Sequence, residues 1–184
     1  AEDPWRAGQL VWAVLRLLPD LAAQPDGAPL RTWLGERDLE RRLELASWQL
    51  GRAIADAFDD YGLYRPALLR AWEAGDLCDE RGRPLPDAQP WQPRLYTALR
   101  RQLEREPFGL RVQRAIQRLR DPAPIPGIDG GHLRLFGLSS LAPVQVQLLQ
   151  ALSGRMRIDL HLLTPCRDLW QRCEDRRRSL SDAL

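Results

Sequence analysis

The sequence predicts a mainly α-helical fold with a small βαβ element towards its C-terminal end. Three observations carry this. Apolar residues recur at three- and four-residue spacing through most of positions 1–120, as in helices with one buried face. DPAPIPGIDGG, Asp121 to Gly131, then breaks that spacing with prolines and glycines that sustain no regular element. Beyond it, two short apolar runs, Leu133 to Phe136 and Ile158 to Leu163, flank a helical stretch. Strand, helix and strand in so few residues make a right-handed unit with parallel strands.

The elements follow in order. Asp3 to about Leu21 reads as a helix, with Leu10, Val11, Val14, Leu17 and Leu18 on its apolar face. Asp3 is placed to cap it, Pro4 fits its first position, and Pro19 falls near its end. AAQPDGAP, Ala22 to Pro29, is turn-rich and reads as a loop, followed by a short helix from Leu30 to Leu34. Glu36 to Tyr61 has the strongest helical pattern, with Leu39, Leu43, Leu45, Ala46, Leu50, Ile54 and Phe58 on one broad face. Tyr61-Gly62 should end it. Pro66 to Ala74 forms the next helix, and the polar, proline-rich stretch from Gly75 to Pro90 a loop. Trp91 to Arg105 and Pro107 to Leu119 complete the helical part. Pro143 to Leu152 is the crossover helix between the two strands. Two strands alone make no stable sheet, so further strands from outside this sequence, or a partly exposed end, are expected. The expected organisation is a helical domain at 1–120, a linker or hinge at 121–131, a βαβ piece at 132–171 and a tail at 172–184.

Composition narrows the function. Of the 184 residues, 44% are hydrophobic and 28% charged, the balance of a globular protein in water. No apolar run approaches the roughly 20 residues that cross a bilayer, and no secretory leader is visible. No membrane partner is expected. The chain opens on Ala1 rather than Met, so it is expected to be processed or an internal piece of a longer protein. The net charge of +2 does not mark a nucleic-acid binder. All 27 basic residues are Arg, which a GC-rich genome explains. Without Lys there is no GxxxxGK[ST] phosphate loop, no Schiff-base chemistry and no D-x-n-[DE]-x-K nuclease core. Cys78, Cys166 and Cys173 form no CxxC pair, and His132 and His161 are the only histidines. A zinc site is therefore not expected, no cofactor is expected, and a reducing cytoplasm suits the cysteines better than a disulfide framework.

Two segments together point to a family. One is FDDYGLYRP, Phe58 to Pro66, followed by Leu68, Leu69, Trp72, Glu73 and Gly75, then Trp91-Gln92 and Leu95-Tyr96. The other is LFGLSSLAP, Leu135 to Pro143, followed by Thr164-Pro165-Cys166-Arg167 and Trp170. In this order they resemble the RecC family, the gamma subunits of exodeoxyribonuclease V, across most of the chain. The resemblance implies an inactive relative of superfamily 1 helicases. Such a subunit works beside a nuclease-helicase subunit and a helicase subunit, guides single-stranded DNA, and contributes to recognition of the recombination hotspot Chi. The helical part would be a 1B-like insertion, and the βαβ piece part of a P-loop-helicase-like 1A α/β domain.

In active superfamily 1 motors the strand leads into a pattern such as DEAQDLSPLQ, where Asp helps hold magnesium and Glu orients the attacking water. Aligned through Pro143 and Gln145, those acids fall on Phe136 and Gly137, and the later Gln and Asp on Ser139 and Ser140. The apolar frame of Leu138, Leu141, Pro143 and Val144 is kept. A motor scaffold without motor chemistry is expected, and no catalytic residue.

The resemblance also carries Chi-channel positions onto Asp56, Ala57, Asp59, Asp60 and Arg65. Carboxylates accept from the cytosine amino group, and Arg pairs with guanine or phosphate. The family pattern is departed from at Ala57, where a larger apolar residue is usual, and at Asp60, where an amide is usual. Arg111 and Arg114 are further candidates for phosphate contact. For all of these a second interpretation stands beside the first: a solvated charged face with ordinary ion pairs. The seven Trp residues similarly divide between base-stacking platforms and core anchors, with packing the commoner use. The RRR run at Arg176 to Arg178 fits a soluble tail. The alternative function is a helical protein–protein interaction module without DNA contact.

Overall fold

The computed structural model of the chain describes residues 2–35, 40–87 and 89–162, with residues 40–44 by backbone alone. The turn at Thr164 to Cys166, Trp170, Cys173 and the tail lie outside the described residues. So do Leu39 and the side chain of Leu43.

The first helix, α1 (Ala7–Ala23), starts later than its sequence suggests. The Asp3 carboxylate accepts the N–H of Trp5 at 3.1 Å, which closes a turn ahead of the helix instead of capping it. Pro19 sits inside α1 rather than at its end. The helix continues past it because Leu18, Leu21 and Ala22 are buried beyond or beside it. The expected loop at 22–29 is mostly helical: a 3-10 turn at Pro25–Gly27 leads straight into α2 (Ala28–Leu34). Arg31 makes this tight reversal possible. Its guanidinium donates to the carbonyls of Ala22 and of Gln24, the latter at 2.8 Å, satisfying groups that the end of α1 leaves unpaired.

The long helix α3 (Glu40–Tyr64) runs through Gly62 instead of stopping there. The reason is tertiary. Helix α6 (Phe108–Arg120) crosses α3 at this point, and a Cβ on Gly109 would lie 2.3 Å from the Gly62 carbonyl oxygen. Two bare glycine backbones let the helices touch. Leu50, Ile54 and Phe58 are buried as the spacing predicts, whereas Leu45 is exposed.

Helices α4 (Pro66–Glu73) and α5 (Trp91–Leu103) close the helical part. Helix α5 stops before Arg105 because Glu104 turns left-handed, at φ 53°. An aromatic cluster forms the centre. Trp72 lies 6.3 Å from Phe58 and 6.0 Å from Tyr96, and Trp5 lies 5.8 Å from Tyr96, between ring centroids. Each polar tip is satisfied. Trp5 Nε1 donates to the Arg105 carbonyl at 2.6 Å, Trp72 Nε1 to the Cys78 carbonyl at 2.9 Å, and the Tyr96 hydroxyl to Glu73 at 2.8 Å. Trp12, Trp33 and Trp48, in contrast, are exposed.

Residues 121–131 hold neither helix nor strand. They are pinned by Arg155, whose Nε donates to the Leu119 carbonyl at 2.8 Å and whose Nη1 reaches the Ala123 carbonyl at 3.1 Å and Asp129 at 3.2 Å. Strand β1 (His132–Phe136), helix α7 (Pro143–Ser153) and strand β2 (Arg157–His161) follow. The strands pair in parallel, His132 opposite Arg157 through Phe136 opposite His161. Paired residues share a face, so one face carries Leu133, Leu135, Ile158 and Leu160. The other carries His132, Arg134, Phe136, Arg157, Asp159 and His161. Helix α7 docks on α6 through Val112, Ile116, Ala142 and Val144, with Leu63, Leu148 and Ala151 around them. The architecture is mainly helical with a two-stranded parallel sheet.

Candidate nucleic-acid interface

The last two turns of α3 carry Asp56, Asp59, Asp60 and Leu63. These positions are three and four residues apart and so share one strip of the helix. The strip is not uniform. Asp56 is exposed and pairs with Arg52 at 3.0 Å, one turn back along the same helix. Ala57 is half-buried and Asp60 exposed. Asp59 leans the other way, towards α1. Its Oδ2 accepts the N–H of Ala7 at 3.0 Å, while Oδ1 stands 3.9 Å from the Arg6 guanidinium. Asp59 therefore caps α1 from another helix, supplying the acceptor that Arg6, the residue at the cap position, cannot.

Arg65 follows α3 as its chain enters α4. It pairs with Glu80 at 3.3 Å, and its guanidinium lies 5.1 Å from the Tyr61 ring centroid. Arg111, on α6, pairs with Asp3 and lies 5.9 Å from the Phe108 ring centroid. Its Nε is buried with no hydrogen-bond partner. Arg114 pairs with Glu106.

Two of the candidate residues meet around one opening. A cleft of about 200 Å³ lies where the N-terminal ends of α1, α6 and α7 face the C-terminal turns of α3. Asp59 lines it, together with Asp3, Arg6, Gly62, Leu63, Phe108 and Gln145. Arg111 borders it through its bond to Asp3. Asp56, Asp60 and Arg65 do not line it. Sequence reasoning missed Arg6, Phe108 and Gln145 and read Asp3 only as a cap. No local signal marks them, since they come from three separate helix starts. Gln145 is positioned by the first turn of α7, its Oε1 accepting the Ala142 N–H at 2.8 Å.

At the end of β1, Phe136 is exposed and stacked on His161, with ring centroids 4.3 Å apart and planes 7° from parallel. Gly137 has φ +67°, a left-handed conformation that costs a side-chain-bearing residue of order 1–2 kcal/mol. A Glu at that position would be strained. Ser139 and Ser140 are exposed in the connection to α7. On the polar sheet face, Asp159 accepts from His132 at 2.6 Å and from Arg157 at 3.1 Å. These two bonds hold its carboxyl below the usual carboxylate range. Among the described residues, no group of three or more His, Cys, Asp or Glu is arranged to hold a metal ion. None of their helices is long and apolar enough to cross a membrane.

The model of the family described as RecC, N-terminal domain, matches residues 1–184. The chain is 33% identical over 179 residues to the RecBCD enzyme subunit RecC of Escherichia coli K12, covering 95% of this chain and 15% of that protein. It is 35% identical over 175 residues to the subunit of the same name from Mycobacterium tuberculosis CDC 1551, covering 92% of this chain and 15% of that one. The Mycolicibacterium smegmatis subunit is 30% identical over 183 residues, covering 97% and 16%. The chain thus spans about 15% of the length of the curated relatives it matches.

Proposed function

Because the chain belongs to the RecC N-terminal domain family, we propose that it is a non-catalytic DNA-handling and scaffold region of a RecC-type subunit. It serves a bacterial cytoplasmic helicase-nuclease that acts in recombinational repair of double-strand breaks. In that complex it guides single-stranded DNA beside the nuclease-helicase and helicase subunits, and it contributes to Chi recognition. The helical part corresponds to a 1B-like insertion and the βαβ piece to part of a 1A-like motor domain.

The observation that carries this reading is the corner after β1 in a chain of this family. Where a motor of this kind needs a metal-binding acid and a water-orienting acid, the strand ends in an exposed benzyl group and a left-handed glycine. Neither Phe136 nor Gly137 offers a carboxylate to chemistry. The acids that remain near the cleft suit reading instead, since a carboxylate discriminates against bases that lack an amino group.

The test is the reconstituted complex. Arg65→Ala and Asp59→Asn should each reduce the Chi-dependent switch without abolishing ATP-driven unwinding, and single-strand binding should weaken as salt rises. A normal Chi response in both variants would remove the recognition role. A second reading, a helical module for protein partners, is favoured by one observation. Trp12 and Trp48 are exposed side by side on α1 and α3, 5.3 Å between centroids, with Leu45 also exposed on α3. Crosslinks mapping only to partner subunits, with the DNA variants silent, would select it.

A further inference from the structure

We propose that the charged face of the β1–β2 strand pair is a docking face for an acidic helix, supplied by the part of the full-length subunit that lies outside these 184 residues. The proposal goes beyond DNA handling and does not depend on it.

The alternation along the strands comes first. Parallel sheets in α/β domains are covered on both faces, and their strands are apolar on both. This pair is apolar on one face alone. Leu133, Leu135 and Ile158 are half-buried there, and α7 packs on β2. One crossover helix covers one face. On the other face the side chains of Arg134 and Arg157 are 62% and 74% exposed.

Charge decides what can lie on that face. Asp159, its one carboxylate, stands 2.6 Å from His132, 3.1 Å from Arg157 and 3.9 Å from Arg134. Two guanidiniums against one carboxylate leave an excess of positive charge, whatever the state of the histidines. An apolar cover would strip water from both guanidiniums and return no acceptor, which is strongly unfavourable. A cover must therefore bring carboxylates. At the end of the strands Phe136, 65% exposed and stacked on His161, adds an apolar foothold. A charged centre with an aromatic end matches a helix whose acids lie one turn apart beside an apolar residue. A nucleic-acid strand fits less well. Arg134 and Arg157 are diagonal neighbours rather than a track, and Asp159 beside them repels phosphate.

The same polypeptide is the source of this helix. The chain spans about 15% of the length of its curated relatives, and two strands alone make no stable sheet. The further strands and the second covering layer of an α/β sheet belong to its own domain.

The test uses the full-length subunit with the photo-cross-linker p-benzoylphenylalanine in place of Phe136. It is irradiated alone and in the reconstituted complex with DNA, and the captured peptide is read by mass spectrometry. The expected product in both is a cross-link within the subunit, to a segment outside these 184 residues with at least two Asp or Glu on adjacent helical turns. Arg134→Glu with Arg157→Glu should lower its yield several-fold, and exchanging the captured acids for Arg should restore it. Arg118→Glu, an exposed charge reversal on α6, should leave the yield unchanged. Capture of a segment without acids, of another subunit or of DNA overturns the proposal. So does a face that captures nothing, which would be open to solvent.

Discussion

The Asp59 carboxylate accepts the backbone N–H of Ala7 across the junction of α3 and α1, at 3.0 Å. A residue that the family resemblance marks for DNA is thus also the cap of another helix. The cap bond uses Oδ2 alone. Asp59→Ala should cost about 0.5–2 kcal/mol in urea denaturation, the range for losing an N-cap, whereas Asp59→Asn should cost much less. Equal losses for the two variants would show that charge, and not the acceptor, is what α1 needs.

The Gly109 and Gly62 backbones meet where α6 crosses α3. Gly109→Ala places a methyl 2.3 Å from a carbonyl oxygen that cannot move without moving α3. Thermal or urea denaturation should register a loss of at least about 1–3 kcal/mol, the scale of overpacking. Gly8→Ala is the control, because nothing lies within 4 Å of its added methyl.

Arg155 ties residues 121–131 to the end of α6 and the start of β2. It is mostly buried and bonds two carbonyls and Asp129. Arg155→Met keeps much of the apolar stem and removes every donor. Amide exchange should then quicken across 121–131 first, with global stability falling by about 1–3 kcal/mol. Unchanged exchange in that segment would show that its prolines alone hold it.

Asp159 is held in its ionised form by His132 and Arg157. A carboxyl depressed in the folded state lends stability above its unfolded pKa and loses it as pH falls through the folded value. Side-chain carboxyl NMR should show Asp159 titrating below ordinary Asp residues. His132→Ala should move it up towards them. The strand pair should loosen only under acid conditions, not near neutrality.

The helical half was legible because burial imposes a period that sequence records directly. Leu50, Ile54 and Phe58 read as core and are core. The parallel strand pair was legible from two short apolar runs flanking a helical stretch, although Leu160 stays exposed. Boundaries failed where a distant group decided them. Asp3 looks like a cap, yet the acceptor for α1 comes from Asp59. Gly62 looks like a stop, yet Gly109 makes it a crossing point. Trp12 and Trp48 fall at helical spacing like their buried counterparts, and only the arrangement of neighbouring helices leaves them outside.

By itself the sequence determined the type of most elements, the exclusion of lysine-dependent chemistry, and the placing of Phe136 and Gly137, neither of them an acid, at the end of β1. These depend on residue identity and short-range spacing. Tertiary structure decided which candidate acids face a cleft, which cation borders it, and which helix start lends it Phe108 and Gln145. A site assembled from the starts of three helices has no signature along the chain, because proximity there comes from packing and not from spacing.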